Sequence, residues 1–346
     1  MNTIIDSEFY KEDIKSILKI QSDWNKLKNK TILITGATGL IGTPLVHMLI
    51  LLNTTFDLGL KLILISRHEH QAEYDFIKYI SHDISKPIDI AERIDFIIHA
   101  ASNTHPNQYS KFPIETITTN IFGTWNLLNL QKKNPRCRLL LISSVEIYGE
   151  DILNNEDGFS ENSYGYINCN NPRSSYNESK RLSETLCSAF YSEKNLDYVI
   201  ARISRAYGPT LKKDDSKALS QFLRKAVDKE DIVLKSNGNQ FYSYIYSADA
   251  ASAIIFLLIN GKTSEAYNVA DPNSKVILKN LAKIIADYAG TKVIFDIPDE
   301  VEKKGYSNIQ RSVLNTKKIQ KLGWKAQFGL RDGIKRTITI MSNISN

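Results

Sequence analysis

Cysteine is scarce in this chain of 346 residues: there are three, Cys137, Cys169 and Cys187, with no CxxC spacing. A disulfide framework needs paired cysteines and a structural zinc site needs clustered ones, so both are excluded and the thiols read as reduced, intracellular side chains. Histidine is sparse too, with 6 residues scattered along the chain, and even His68 and His70 form no ligand set, so no metal is expected. No stretch reaches the ~18 apolar residues of a membrane span. The opening MNTIIDSEFYKEDIKS is acidic where a secretion signal would be basic and then apolar, so the cytoplasm is the expected compartment, with no membrane partner. Repeats and low-complexity tracts are missing as well.

What is present is the composition of an ordinary soluble globular protein. With 42% hydrophobic and 24% charged residues the chain can bury a large core, and its length predicts one large domain with a smaller appendage. The 44 basic residues exceed the 38 acidic ones by 6, but they are spread along the chain. The densest basic stretches, Lys26 to Lys30 and Lys317 to Lys321, lack the interleaved aromatics of a nucleic-acid platform, so no nucleic acid is expected. A modest positive charge suits a small anionic ligand.

The apolar pattern divides the chain. Ile14, Ile17, Leu18, Ile20, Trp24 and Leu27 recur at helical spacing and predict a helical extension over 1–28, packed on the surface or on a partner subunit. Thr31 to Thr35 is then a continuous β-rich run, followed by glycines at 36, 39 and 42 and an apolar helix from Pro44 to Leu52. Further buried-type strands are predicted at Leu60–Ser66, Ile94–Ala100, Arg138–Ser143, Tyr198–Ile203 and Ala266–Val269, with helices at Ile117–Gln131 and Tyr176–Lys194 between them. Strands alternating with helices predict an α/β fold, a doubly wound parallel sheet covered on both faces. The cofactor domain is assigned to 29–208, with a returning segment near 239–270, and a mainly substrate-binding domain to 209–346.

Two motifs carry chemistry. Gly36, Gly39 and Gly42 sit between a strand and a helix, where a pyrophosphate can approach backbone N–H groups only if no Cβ intervenes. At the end of the next strand stand Ser66 and Arg67, where an enzyme for the non-phosphorylated cofactor usually carries an acid for the ribose hydroxyls; a cation there favours NADP over NAD. In the second motif Tyr176 and Lys180, four apart on a helix, share a face, so that the ammonium can stabilise a phenolate able to take a proton from an alcohol. Ser143 and Ser144 end the preceding strand, within reach of the same substrate oxygen. A Ser–His–Asp hydrolase is the competing reading, but there is no GxSxG elbow.

Taken in order over roughly residues 29 to 335, these motifs with Asp83-Ile84, His99 to Ala101, Asn120 with Gly123, Ser144 to Gly149, Tyr207-Gly208-Pro209 and Leu322-Gly323-Trp324 resemble the extended short-chain dehydrogenases/reductases that modify nucleotide sugars. The resemblance implies a Rossmann fold and transient oxidation of a sugar hydroxyl, usually at C4, by bound NAD(P), leading to epimerisation, dehydration or decarboxylation. It implies cofactor contacts from Gly36, Thr38, Gly39, Leu40, Ile41, Gly42, Ser66, Arg67, Asp83, Ile84, Ala100, Ala101, Ser102, Asn120, Tyr176 and Lys180, and a homodimer formed through two helices of each subunit. The implied catalytic set is Ser144, Glu146, Tyr176 and Lys180.

The segment from Gly165 to Leu186, with Glu146 and with Arg311 thirteen residues before Trp324, is most similar to UDP-glucuronate decarboxylases. Arg173 or Arg311 beside a uronate makes sense as a bidentate clamp, and a surface salt bridge is the competing reading of each. Val145 stands where many dehydratases carry an acid, Arg205 where an asparagine is common, and Tyr242 where an arginine usually serves the diphosphate. Ser144, Glu146, Arg173, Arg205, Tyr242 and Arg311 are thus the expected substrate contacts. Decarboxylation leads, with 4,6-dehydration or 4-epimerisation as the runner-up; a non-catalytic NADP sensor has no need of the Ser–Tyr–Lys set.

Overall fold

The strands form where continuous apolar runs can be covered on both sides. A computed structural model describes residues 3–150, 156–297 and 309–345. Its main sheet contains β1 (Thr31–Thr35), β2 (Lys61–Ser66), β3 (Ile77–Ser81), β4 (Phe96–His99), β5 (Arg138–Ser144) and β6 (Tyr198–Ile203). Three short strands follow, β7 (Arg205–Tyr207), β8 (Ile232–Leu234) and β9 (Phe241–Tyr246), before β10 (Glu265–Val269) returns to the main sheet. Every neighbouring pair is parallel and the order is β10-β6-β5-β4-β1-β2-β3. The order reverses at β1 and β4, so a crevice opens beyond their carboxyl ends, where doubly wound folds bind ligands. Strand β3 is absent from the sequence expectation; it is a half-exposed edge strand without a continuous apolar run.

Helices α1 (Glu8–Lys15), α2 (Gly42–Phe56), α3 (Pro106–Lys111), α4 (Pro113–Lys132), α5 (Ser174–Lys194), α6 (Ala218–Val227) and α7 (Ser247–Asn260) follow in chain order. The apolar helices α2 and α7 pack together on one face of the sheet, and α4 and α5 pack side by side on the other. A smaller unit gathers β7, β11 (Lys275–Ile277) and β13 (Arg311–Ser312) around β9, with β8 pairing β12 (Val293–Phe295). Helices α6, α8 (Leu278–Ala289) and α10 (Leu330–Ser345) cover it, and α9 (Lys317–Leu322) leads into the last of these.

The described N-terminal segment, from residue 3 to 30, packs into the main core instead of standing apart from it. Tyr10, Ile14, Ile17, Ile20, Trp24 and Leu27 are all buried with α2 and α7, whereas Leu18 is exposed. One continuous helix does not form: the Ser16 hydroxyl bonds back to the Asp13 carbonyl, the chain tightens into a 3-10 turn over Ser16–Lys19, and Asp23 caps a second over Trp24–Leu27. Asp13 is buried between the Tyr246 hydroxyl and Arg336, and Gln327 donates to the Ser16 carbonyl, so β9 and α10 hold the segment directly.

Candidate active site

A cleft of about 1180 Å³ runs from the glycine turn after β1, past the ends of β4 and β5, to the loops around β9. At one end Gly36 has φ +72°, and a Cβ there would lie 2.7 Å from the backbone of Ala100. A Cβ on Gly42 would lie 2.1 Å from the Gly36 carbonyl oxygen. The turn is therefore folded tightly against both β4 and its own helix, and no side chain caps the start of α2. Thr38, Gly39, Leu40 and Ile41 line the cleft here, a backbone cradle with a helix N-terminus that fits a pyrophosphate.

The walls beyond the cradle fit the rest of a dinucleotide. Ser66, Arg67, Asp83 and Ile84 line the cleft at the ends of β2 and β3. The Asp83 carboxylate accepts from the backbone and hydroxyl of Ser85, which holds its pKa below the ordinary value. Ala100, Ala101 and Ser102 follow β4 along the floor. The Ser102 hydroxyl donates to Asn120 Oδ1 (2.7 Å), and Asn120 Nδ2 donates to Ser179 (2.9 Å), tying the β4 loop to α4 and α5. Asn120 itself is buried and braces the wall without lining it. Below it His99 shares a 2.8 Å hydrogen bond with Thr35, and burial, aided by the Lys180 charge, lowers its pKa to about 3, so the ring is neutral.

The reacting groups meet in the middle. Ser144 ends β5 and caps the following 3-10 turn, its hydroxyl accepting from the Glu146 backbone at 3.2 Å. Tyr176, in the first turn of α5, lines the cleft with Ser144, whose hydroxyl draws the phenol pKa down against burial. Lys180, one turn later, donates to the Ile142 carbonyl of β5 at 2.9 Å. Burial lowers its pKa to about 8 against the pull of Glu184. Burial raises Tyr176 to about 12, with Ser144 opposing and the Glu146 charge reinforcing. Here the ammonium donates to the Ile142 carbonyl, one of the three N–H bonds it can give.

At the substrate end, Arg205 of β7 donates to Glu146 (2.9 Å), and its guanidinium lies 3.6 Å from the centre of the Tyr242 ring. Arg173 lines the cleft and stands over Tyr109, 5.5 Å from the ring centre. Arg311 does not join them. Its neighbour Gln310 lines the cleft, while Arg311 donates to the Glu156 carbonyl and stands over Phe241. Two features escape the motifs: Tyr109 of α3, stacked on Tyr176, and His105, 3.1 Å from buried Asp215 across the cleft. Only Pro106, a helix-starting residue after β4, hints at α3. Among the described residues no group of three metal-ligating side chains occurs, and no helix is long and apolar enough to cross a membrane.

Known proteins share both sequence and fold with this chain. UDP-glucuronic acid decarboxylase 1 of Xenopus tropicalis is 30% identical over 316 residues, 89% of this chain and 71% of the relative. UDP-glucuronic acid decarboxylase 6 of Arabidopsis thaliana is 28% identical, over 88% and 87% of the two chains. Among solved structures, UDP-glucose 4-epimerase from Thermotoga maritima superposes with a TM-score of 0.77 at 19% identity, covering 91% of this chain and 100% of its own. The dTDP-glucose 4,6-dehydratase DesIV of Streptomyces venezuelae, with NAD bound, gives 0.76 at 23%, over 90% and 96%. The pattern of the NAD dependent epimerase/dehydratase family matches residues 32–270, and the chain belongs to that family.

Proposed function

We propose that this chain decarboxylates a nucleotide-linked uronate through transient oxidation at C4 of the sugar. The observation that carries the reading is that Ser144, Tyr176 and Lys180 line one cleft together with a pyrophosphate cradle and the arginines Arg173 and Arg205. Residues 29–208, with the segment near 239–270, hold the dinucleotide, and residues 209–346 mainly hold the sugar nucleotide. When bound, a nicotinamide dinucleotide supplies the hydride acceptor.

Tyr176 takes the proton of the C4 hydroxyl while Ser144 orients that oxygen. Lys180 must turn from the Ile142 carbonyl towards Tyr176 to stabilise the phenolate. The 4-keto uronate is a β-keto acid, so its carboxylate leaves as CO₂ with the bonding electrons drawn into the new carbonyl. Dehydration would need an acid for the departing hydroxyl, and Val145, buried in an apolar cluster, cannot be one. UDP-glucuronic acid is named as the substrate of the curated relatives, which supports the same reading.

Arg67 beside Ser66 favours NADP over NAD, since no ion pair occupies its guanidinium among the described residues. Phe122 and Trp125 on α4 and Leu182 on α5 are exposed apolar side chains on neighbouring helices, which supports a homodimer formed through that face. Light scattering of the parent and Trp125→Glu tests the dimer: a monomeric parent rejects it. Free thiols, with Cys169 exposed, suit the cytoplasm, and fractionation of tagged cells tests this, recovery outside it being the contrary result.

Mass spectrometry of reactions with UDP-glucuronate, UDP-glucose and dTDP-glucose tests the function. Loss of CO₂ from the uronate, with the hexoses unchanged, is the expected result. Loss of water from a hexose, or an intact uronate, overturns the reading.

A further inference from the structure

Strands β7 and β9 run parallel, with Arg205 opposite Tyr244, and this register brings the Arg205 guanidinium over the Tyr242 ring. The ring covers one face of the cation, so recognition is left to the N–H groups at its edge. Nη2 donates to Glu146, while Nη1 is buried with no hydrogen-bond partner among the described residues. Tyr244, the strand partner of Arg205, sets a second ring 6.5 Å from that of Tyr242. A planar cation is thus held by aromatic rings with half of its donor edge unused.

Its position in the cleft decides what it can read. Glu146 is two residues from Ser144, so Arg205 stands at the reacting end of the sugar; of the lysines that line the cleft, Lys217 is paired with Asp215 and Lys235 with Asp296. Arg173 lines the same cleft and stands over Tyr109. Arg311, the alternative clamp, is outside the cleft lining and engaged with the Glu156 carbonyl.

We infer that Arg205 is the residue that selects a carboxylate-bearing sugar, its Nη1–Nη2 edge taking the uronate carboxylate in the two-point manner that guanidinium geometry favours. Glu146 holds that edge until the substrate arrives and then shares or yields the Nη2 contact. A neutral hydroxymethyl group cannot compete with Glu146 for the cation, so the matching hexose gains nothing from it. This assignment rests on the uronate reading above.

The test is calorimetry of the cofactor-loaded protein with UDP-glucuronate and with UDP-xylose, which lacks the carboxylate, for the parent, Arg205→Asn, Arg205→Lys and Arg311→Asn. Arg205→Asn should weaken UDP-glucuronate roughly 30-fold or more while moving UDP-xylose by less than about threefold. Arg205→Lys should fall between, because a point charge replaces the two-point donor, and Arg311→Asn should show no carboxylate-selective loss. Equal weakening of both ligands by Arg205→Asn would mean that Arg205 reads the diphosphate, and a selective loss in Arg311→Asn instead would return the role to that residue; either overturns the assignment. Should Arg205→Asn fail to fold, Arg205→Lys decides, since unchanged discrimination in that variant also overturns it. CO₂ release by the parent is followed in parallel: its absence sinks the uronate reading and this assignment together, whereas its presence with an unselective Arg205→Asn sinks the assignment alone.

Discussion

The ring of Tyr109 stacks on the ring of Tyr176 with centroids 5.4 Å apart and planes 24° from parallel. The stack presses a residue of α3 against the proton-transfer group of α5, so the orientation of the phenol depends on a side chain that performs no chemistry. Tyr109→Ala should lower turnover by roughly tenfold, the order expected for one aromatic pair, while Tyr109→Phe keeps the stack and nearly all activity. Parallel kcat measurements check this; a Phe variant as slow as the Ala variant would show that the hydroxyl, which meets Arg173, is what counts.

Tyr176→Phe removes only the group that moves the proton. It should bind the dinucleotide as the parent does by calorimetry and lose roughly a hundredfold to ten-thousandfold in turnover. Near-parental turnover would remove Tyr176 from the catalytic set.

Arg67 lies at the open end of β2 with Ser66, whose hydroxyl is occupied by the turn at His68 and by His70. NADPH should bind about tenfold or more tightly than NADH, and Arg67→Ala should erase the gap, because a single charge-assisted contact to the 2′-phosphate is lost. Equal affinities of the parent for the two cofactors would dismiss the preference.

Lys180 gives a pH signature of stability. Burial holds its pKa at about 8 against an ordinary 10.5, so between those values the folded chain binds fewer protons than the unfolded one. Stability therefore rises with pH across that window and is lost as pH falls through 8. Lys180→Met abolishes this dependence, and the parent should gain up to roughly 3 kcal/mol on the variant between the two ends. Urea unfolding of both proteins at several pH values measures it; a constant difference would contradict the burial of the charge.

What was legible in the sequence follows from how each feature is encoded. The strands buried on both faces, β1, β2, β4, β5 and β6, carry runs of Ile, Leu and Val that read the same in any context. The edge strand β3 carries IKYIS, which becomes a strand only because β2 offers it a ladder. Periodicity picked out five of the buried positions in the N-terminal segment, but Leu18 breaks it, since the local hydrogen bond at Ser16 changes the turn angle. The glycine turn, Ser144, Tyr176 and Lys180 are tied to motifs and come together. Arg311 is tied to one as well, yet the pairing of β13 with β9 sends Arg311 away from the cleft and leaves the reacting end to Arg205. Tyr109 belongs to no motif, so only the folded chain reveals it.

Asp13 and Arg336, bound to each other at 3.0 Å, are separated by 323 positions of chain. On the ribosome the segment carrying Tyr10, Ile14 and Ile17 is made long before α10, which fastens it. The sheet can assemble while synthesis proceeds, but this seam cannot close until α10 has also been made, so its locking is governed by a long loop closure.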